Sequence, residues 1–393
     1  MLNEVYIVST KRTPFGSFGG ILTPLKAVDL GAHAIRNTID DVGIDKNLVE
    51  EVIFGNVYSA NIGQAPARQA AILAGLPYHT SCTTVNKVCA SGMKALMLGA
   101  QSIALGHRDL IMVGGMESMS NVPYYLPKLR WGNKYGNIET IDGLQKDGLQ
   151  DAYDHCAMGV SADETARRYT ISRSEQDEYA IRSYKLSAKA WEENAFKNEV
   201  VPINIELAPG KNNLVEKDEE YSKVNFDKIP QLKPSFSKDG TVTAANASTI
   251  NDGSAALLLA SGSKIKELNL SPLARIVSYA DAEQEPKWFT TTPTIAAPLA
   301  LSKAGLSLKD IDFFEVNEAF SVVALAFAKV LEIDLNKLNI RGGAVSLGHP
   351  LGASGARIIG ALVNILISEG GRYGLAAICN GGGGASAVII EKC

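Results

Sequence analysis

The sequence predicts an α/β protein built from two copies of one unit, and three observations support this fold class. Strand, helix, strand, helix, helix and strand patterns follow one another over roughly the first 113 residues. The same order of patterns returns from residue 274 to the end of the chain. Between the copies lies a stretch of different composition, rich in Tyr, Pro, Asp and Lys. This order indicates two mainly parallel α/β units and one large insertion.

The elements of the first copy follow from apolar periodicity and from the glycines that end its helices. Apolar side chains at Ala90, Met93, Met97 and Ala100 recur near a 3.6-residue period, which predicts a helix starting near Cys89. The predicted strands cover residues 4–8, 51–54 and 110–113, and the predicted helices cover 24–42, 65–76 and about 89–105, before Gly43 and Gly106.

The second copy matches the first at a nearly constant shift of about 263 residues. Gly305 corresponds to Gly43, and the segment 352–357 corresponds to 89–94. Each copy is too small to bury all the apolar surface, so we expect the two sheets to share a helical layer. The matching elements are strands 274–278, 312–314 and 375–378 and helix 295–304.

The insertion separates strand 110–113 from its apparent partner, strand 255–259. Ser172 and Glu175 form a capping-box pattern that predicts a helix running to about Asn194. Insertions at sheet ends usually carry substrate contacts. We therefore divide the chain into a first half of residues 1–120 with 247–268, an inserted loop domain of 121–246, and a second half of 269–393.

Composition excludes several classes of protein. A net charge of −4 and a pI near 5.8 argue against a nucleic-acid partner or an anionic membrane surface. No apolar run approaches the roughly 20 residues of a membrane span. The five cysteines include no CxxC pair, so we expect no disulfide framework or zinc site and a reducing compartment. The chain enters a strand pattern at once, which favours the cytoplasm, or the mitochondrial matrix if a leader was removed.

Cys89 is the first candidate for chemistry. Helix N-termini carry unpaired N–H groups and a partial positive charge, which can lower the pKa of a thiol below about 8.5. The neighbours Ala90, Ser91 and Gly92 are small and leave room for a substrate. An inert cysteine packed in a helix is the alternative, since buried free cysteines are common.

Three further candidates lie on loops that follow strands or precede helices. Asn317 follows a strand, His349 lies between Gly348 and Pro350, and Cys379 precedes four glycines. Active sites of open α/β sheets gather at the carboxyl ends of strands, so both copies can contribute to one crevice. The alternatives are a turn asparagine, a loop histidine and a core cysteine. Glu318 is either a surface charge or a group that orients a histidine.

Several segments together resemble the signature blocks of the thiolases, and the resemblance spans essentially the whole chain. It implies a duplicated fold of two five-stranded mixed sheets with helices in layers, an inserted loop domain and a homotetramer. It also implies reversible Claisen condensation or thiolysis of acyl-CoA through an acyl-enzyme. The blocks are Asn86–Gly92, Gly114–Ser120, Asn246–Gly253, Asn317–Phe320, Gly342–Gly352 and Cys379–Gly384.

The resemblance implies a role for each candidate. Cys89 would be acylated, His349 would take its proton, and Cys379 would move a proton at the α-carbon of the second acyl-CoA. His349 and a water on Asn317 would form one oxyanion hole, and the N–H groups of Cys89 and Gly381 the other. Coenzyme A would be substrate and product, no cofactor would be required, and the CoA-contacting residues would be Ser248, Leu149, Met158, Ala319 and Phe320.

Two features of the resemblance concern an ion and the acyl chain. Some members bind potassium, and Tyr221, Ala280 and Ala282 partly resemble that site. The resemblance is closest to thiolases of acetoacetyl-CoA, but Ala157 replaces a histidine that lines their acyl pocket, and His155 lies two residues earlier. A smaller residue would widen the pocket, so a thiolase of longer 3-ketoacyl-CoA chains is the alternative.

Two rival functions share the fold. A ketoacyl synthase acting on acyl carrier protein would resemble a Cys-His-His or Cys-His-Asn site, and Cys379 counts against it. A non-catalytic acyl-CoA-binding relative would usually lack Cys89 or His349, and both are present.

Overall fold

The structure is a computed structural model that describes residues 2–208 and 210–393. The predicted strands and helices are confirmed, with most strands longer than expected, and the capping box of Ser172 and Glu175 is formed. The strands are β1 (Val5–Arg12), β2 (Gly16–Ser17), β3 (Glu51–Gly55), β4 (Ser81–Val85), β5 (Leu110–Ser118), β6 (Tyr124–Tyr125), β7 (Ile141–Asp142), β8 (Ile203–Ala208), β9 (Lys211–Val215), β10 (Asn251–Ser261), β11 (Ala274–Glu283), β12 (Phe313–Val316), β13 (Tyr373–Asn380) and β14 (Gly384–Lys392). The helices are α1 (Ala27–Val42), α2 (Pro66–Leu73), α3 (Ser91–Ala104), α4 (Met158–Arg168), α5 (Arg173–Glu192), α6 (Gly262–Glu267), α7 (Pro293–Ala304), α8 (Ser321–Leu331), α9 (Ala344–Leu347) and α10 (Leu351–Glu369).

The two halves contribute adjoining parts of one mixed sheet in the order β12-β13-β14-β11-β1-β10-β5-β3-β4. The halves join edge to edge where Tyr6 and Ile7 of β1 pair with Arg275 and Ala274 of β11. The first half supplies five strands. The second supplies four, and an isolated bridge between Phe314 and Leu338 stands where a fifth would lie.

Pairing in this sheet is more antiparallel than the sequence predicted. Strand β3 pairs in parallel with β4 and β5, and β12 pairs in parallel with β13. Strand β10 runs antiparallel between β1 and β5 because the chain returns to the sheet after the insertion. The tight β13–β14 hairpin adds a second antiparallel ladder. This connectivity supports the three-part division at residues 120, 246 and 268, which stays a proposal.

The expected shared helical layer consists of α3 and α10. Helix α3 contacts β3 and β5 of the first half and β14 of the second, and α10 contacts β5 and β10 as well as β12 and β13. One buried cluster joins side chains from both halves around these helices, including Met93, Leu257, Ile358 and Ile378. Helices α1 and α2 cover the outer face of the first half, and α7 and α8 that of the second.

Helix α10 corrects one expectation from the sequence. By length and apolar composition, Leu351–Glu369 could cross a membrane, so the expectation that no apolar run approaches that length was wrong. However, 83% of this window is buried inside the fold. Its apolar composition is explained by its central position, where side chains on all faces meet protein.

The first turns of α3 and α10 pack backbone against backbone. A Cβ atom added at Gly92 would lie 2.8 Å from the carbonyl oxygen of Gly352, and one at Gly355 would lie 2.4 Å from the backbone nitrogen of Met93. Real Cβ atoms do not approach backbone atoms so closely. Glycine at these positions therefore allows the two helix starts to touch.

We expect Gly355→Ala to lower the free energy of unfolding by about 1–3 kcal/mol or more, because the new methyl group must push α3 and α10 apart. Urea unfolding followed by circular dichroism measures the loss. Gly262→Ala is the matched control, since its Cβ would meet only Tyr6 at 3.6 Å. Equal unfolding midpoints for both variants would contradict this account of the packing.

Candidate active site

Cys89 lies on a tightly constrained loop just before α3, two residues earlier than the helix start at Ser91. Val88 has a φ of 48°, a left-handed conformation that costs a β-branched residue about 1–3 kcal/mol. Hydrogen bonds fix this conformation: the Val88 N–H donates to Asn86 Oδ1, and Ser91 Oγ donates to the Val88 carbonyl at 2.6 Å. The strained turn presents the Cys89 side chain at the interface of the two halves.

The loop of Cys89 is also tied to the second half by charge. Lys87 Nζ lies 2.6 Å from Asp281 Oδ1 and also donates to Ser386 Oγ of β14. Lys94 of α3 pairs with the other oxygen of Asp281 at 2.7 Å. These contacts hold the pKa of Asp281 at about 2, because the hydrogen bonds from both lysines outweigh its burial. The cysteine loop is therefore anchored beside the β13–β14 hairpin.

The Cys89 thiol is neutral in this structure, contrary to the expectation from its helix position. Burial raises its pKa to about 12, although hydrogen bonds from the backbone N–H groups of Gly381 and Cys89 act in the opposite direction. The partial charge at the start of α3 therefore does not compensate for desolvation. A thiolate forms here only if a neighbouring group removes the proton.

The hydrogen bonds of His349 define the tautomer of its ring. Ser354 Oγ donates its single proton to the Pro350 carbonyl at 2.9 Å. Ser354 Oγ must therefore accept from His349 Nδ1–H, at 2.6 Å. This assignment leaves Nε2 without a proton, facing Asn317 Nδ2 at 3.3 Å. Burial and the charge of Arg357 lower the pKa of His349 to about 3, so the ring is neutral at pH 7.

Cys379 and Gly381 approach Cys89 from the second half. Cys379 lies at the end of β13, is fully buried, and has a pKa raised well above its usual range by burial and by the neighbouring Cys89 sulfur. The turn that follows contains Gly382 and Gly383, whose φ angles of 88° and 94° suit glycine. This turn directs the Gly381 N–H at the Cys89 sulfur.

A largely apolar cavity of about 480 Å³ leads to His349. Of the predicted CoA-contacting residues, Ser248, Leu149, Met158 and Phe320 line it. Ala319 does not line it, but its carbonyl accepts the Ser248 N–H at 3.0 Å and so positions that residue. Ala157 is not a lining residue either; it precedes α4 and pairs with Gln150. The aromatic wall is formed by Phe18, Phe236 and Phe320.

The structure does not bring the predicted potassium residues together. Tyr221 stacks on Trp191 at a centroid distance of 6.0 Å and packs in a cluster with Leu347. Ala280 and Ala282 lie in β11, in a separate cluster against α7 and β12. Their partial resemblance to a potassium site therefore corresponds to no shared site in the described part of the chain.

Glu318 is neither a surface charge nor a partner of His349. Its buried carboxylate accepts hydrogen bonds from Tyr179, Ser183 and Asn339 side chains and from the Val345 N–H. It thereby attaches the loop of Asn317 to α5 and to the segment before His349.

Three residues of the candidate site were not predicted from the sequence: Ser354, Arg357 and Glu117. Ser354 and Arg357 lie on α10, where only the helix register shows that they face His349 and Asn317. Glu117, fully buried, accepts N–H groups of Val57, Tyr58 and Gly352. Burial raises its pKa to about 7. Glu117 lies in the Gly114–Ser120 block that resembles the thiolases, but nothing in that block predicted these hydrogen bonds.

Comparisons with known proteins agree with this architecture. The family model for the N-terminal domain of thiolase matches residues 5–263, and the model for the C-terminal domain matches 270–392. An acetyl-CoA acetyltransferase of Schizosaccharomyces pombe is 53% identical, with 99% of each chain covered. The mitochondrial acetyl-CoA acetyltransferase of Homo sapiens is 54% identical, over 100% of this chain and 91% of that protein.

A solved structure gives the same result at the level of the fold. The crystal structure of Acat5 thiolase from Ascaris suum in complex with coenzyme A superposes with a TM-score of 0.94 and 46% identity, covering 99% of this chain and 100% of that one. Family models that cover both halves, full-length relatives and a matching fold lead to one conclusion: the chain belongs to the thiolase family and is an enzyme of that class.

Proposed function

We propose that this protein is an acetyl-CoA acetyltransferase, which condenses two acetyl-CoA molecules to acetoacetyl-CoA and CoA, or catalyses the reverse thiolysis. The observation that carries the proposal is the convergence at Cys89: the Gly381 N–H and the Cys379 thiol reach it from the other half of the chain. The full-length acetyl-CoA acetyltransferases at 53–54% identity support this reaction over the longer-chain alternative. Coenzyme A is substrate and product, and the residues named need no further cofactor.

The first half-reaction transfers an acetyl group to Cys89. His349 Nε2 takes the thiol proton, and the sulfur attacks the carbonyl carbon of acetyl-CoA. The developing oxyanion lies against the N–H groups of Cys89 and Gly381. The tetrahedral intermediate collapses, the C–S bond to coenzyme A breaks, and CoA leaves with the proton from His349. Because His349 is neutral at physiological pH, its Nε2 lone pair is available for the thiol proton.

The second half-reaction forms the carbon–carbon bond. Cys379 first passes its thiol proton to His349 Nε2 and then, as a thiolate, removes a proton from the methyl group of a second acetyl-CoA. The enolate oxygen is stabilised by the Nε2–H of His349 and by a water on Asn317, and the carbanion attacks acetyl-Cys89. Acetoacetyl-CoA forms, and the Cys89 sulfur leaves and is reprotonated by His349. An enolate of a thioester is unstable, so a placed base and an oxyanion hole are both needed.

We also propose a homotetramer in a reducing compartment, the cytoplasm or the mitochondrial matrix. Strand β4 forms one edge of the sheet, and among the described residues no strand pairs with its side away from β3. Ser81 and Thr83 are exposed on this strand, and a second copy would cover the edge. The segment around β6 and β7 exposes large apolar side chains, with Trp131 86% and Tyr135 98% exposed. All five cysteines are free, which agrees with a reducing environment.

We expect Cys89→Ser to abolish labelling of the protein by radioactive acetyl-CoA, because the acyl-enzyme cannot form at useful rates. Cys379→Ser should keep one acetyl group per chain but lower condensation by about 100-fold or more, since only the α-carbon proton transfer is lost. Cys82→Ser, a half-buried cysteine of β4, is the control and should behave as wild type. A native protein that takes up no acetyl label would contradict the proposed reaction.

Chain-length preference separates the proposal from its alternative. We expect thiolysis of acetoacetyl-CoA to exceed that of 3-ketooctanoyl-CoA in kcat/KM, because the residue change at Ala157 lies outside the cavity lining. Parallel assays at equal CoA concentration measure the ratio. A higher kcat/KM for the eight-carbon substrate would favour a thiolase of longer chains.

The assembly proposal is tested by sedimentation. We expect the wild type to sediment as a tetramer and the pair Trp131→Lys and Tyr135→Lys to form smaller species, because the charges oppose burial of this segment. Lys134→Ala, an exposed change in the same segment, is the control. A wild-type monomer would rule the tetramer out.

A further inference from the structure

Arg357 is a fully buried arginine on α10 that the proposed mechanism does not use. Its Nη1 lies 3.5 Å from Glu315 Oε2, and its Nη2 lies 3.4 Å from Asn317 Oδ1. Among the described residues, neither Arg357 Nε nor Glu315 Oε1 has a hydrogen-bond partner. A buried charge with such long and incomplete contacts costs stability, so packing alone does not explain its presence.

Arg357 begins a chain of hydrogen bonds through Asn317 and His349 to Ser354, in which each side chain donates to the next. Arginine can only donate, so it faces the oxygen of the Asn317 amide and turns the nitrogen toward His349 Nε2. His349 then donates from Nδ1 to Ser354, which donates to the Pro350 carbonyl. A flipped Asn317 amide would place N–H groups against the guanidinium. The orientation of Asn317 therefore depends on Arg357.

We propose that Arg357 is a positioning residue that keeps the Asn317 N–H directed at the reaction centre through both half-reactions. Resting His349 Nε2 accepts that N–H. When His349 takes the Cys89 proton, Nε2 becomes a donor and releases the Asn317 N–H, which is then free to bind the water of the oxyanion hole. Arg357 prevents the released amide from turning away. The proposal rests on the proposed thiolase reaction.

The charge of Arg357 gives a second, independent readout. Burial is the larger cause of the low pKa of His349, and the charge of Arg357 lowers this pKa further by disfavouring the imidazolium form. Removing it should raise the pKa of His349 toward 6.5, so the base becomes protonated, and acylation slows, at a higher pH than in wild type. Burial raises the pKa of Glu315 to about 8, so that group stays protonated over pH 5–7. The other charged groups acting on Arg357 are Glu318, Glu199 and Arg12.

Three variants test the proposal by rapid-quench acylation over pH 3–8 and by steady-state condensation. Arg357→Met should lower the kcat of condensation by about 10–100-fold. It should also move the acid limb, which is the fall in acylation rate at low pH, to a pH about one unit higher. Arg357→Lys keeps the charge but not the planar fork, so condensation should fall while the acid limb stays at its wild-type position. Arg341→Met, a change of another buried arginine that contacts Ala195 and Ser368, should leave the limb unmoved.

The outcomes separate this proposal from the function itself. Wild-type condensation and an unmoved limb in folded Arg357→Met would overturn the positioning role. The positioning role would also be overturned if activity fell only in proportion to the amount of folded protein and the acid limb stayed at its wild-type pH. If Arg357→Met does not fold, Arg357→Lys decides: normal condensation in that variant overturns the proposal. Absence of acetyl labelling in the wild type would instead reject the thiolase reaction.

Discussion

The contact between the first turns of α3 and α10 is the constraint on which the rest of the structure depends. Gly92 and Gly355 allow the two helix starts to meet at backbone distance. Cys89 precedes one of these helices, and His349 precedes the other. The duplication therefore places equivalent turns face to face at the interface of the halves. The two copies differ in their side chains, so that one turn carries the proposed nucleophile Cys89 and the other the proposed base His349.

Burial sets the electrostatics of this interface more than helix dipoles do. It raises the pKa of Cys89 to about 12 and that of Cys379 well above its usual range, and it lowers the pKa of His349 to about 3. A resting site of neutral thiols and neutral imidazole avoids the cost of isolated buried charges. Charge appears only during proton transfer, beside N–H groups that are already oriented. This arrangement suits a reaction whose intermediates are an oxyanion and an enolate.

Much of the fold could be predicted from the sequence because its signals are local or repeated. The shift of about 263 residues revealed the duplication, and Ser172 and Glu175 revealed a helix start. The antiparallel pairing of β10, the exposed strand β4 and the depth of α10 depend on which segments meet, which no local pattern records. The expected low pKa of Cys89 failed for the same reason, since desolvation is a tertiary property. Tyr221, Ala280 and Ala282 were grouped by partial resemblance, and the fold separates them.

The candidate site likewise contains residues that could be identified from the sequence and residues that could not. Cys89, Asn317, His349 and Cys379 were identifiable because reactive side chains stood among small residues or after strands. Ser354 and Arg357 occupy ordinary positions of an apolar helix, and only the register of α10 turns them toward His349 and Asn317. A helix that is buried on all faces has no solvent-facing side for polar residues. Each polar group on the buried part of α10 must therefore find a partner inside the protein, and on its first two turns Ser354 and Arg357 find theirs in His349 and Asn317.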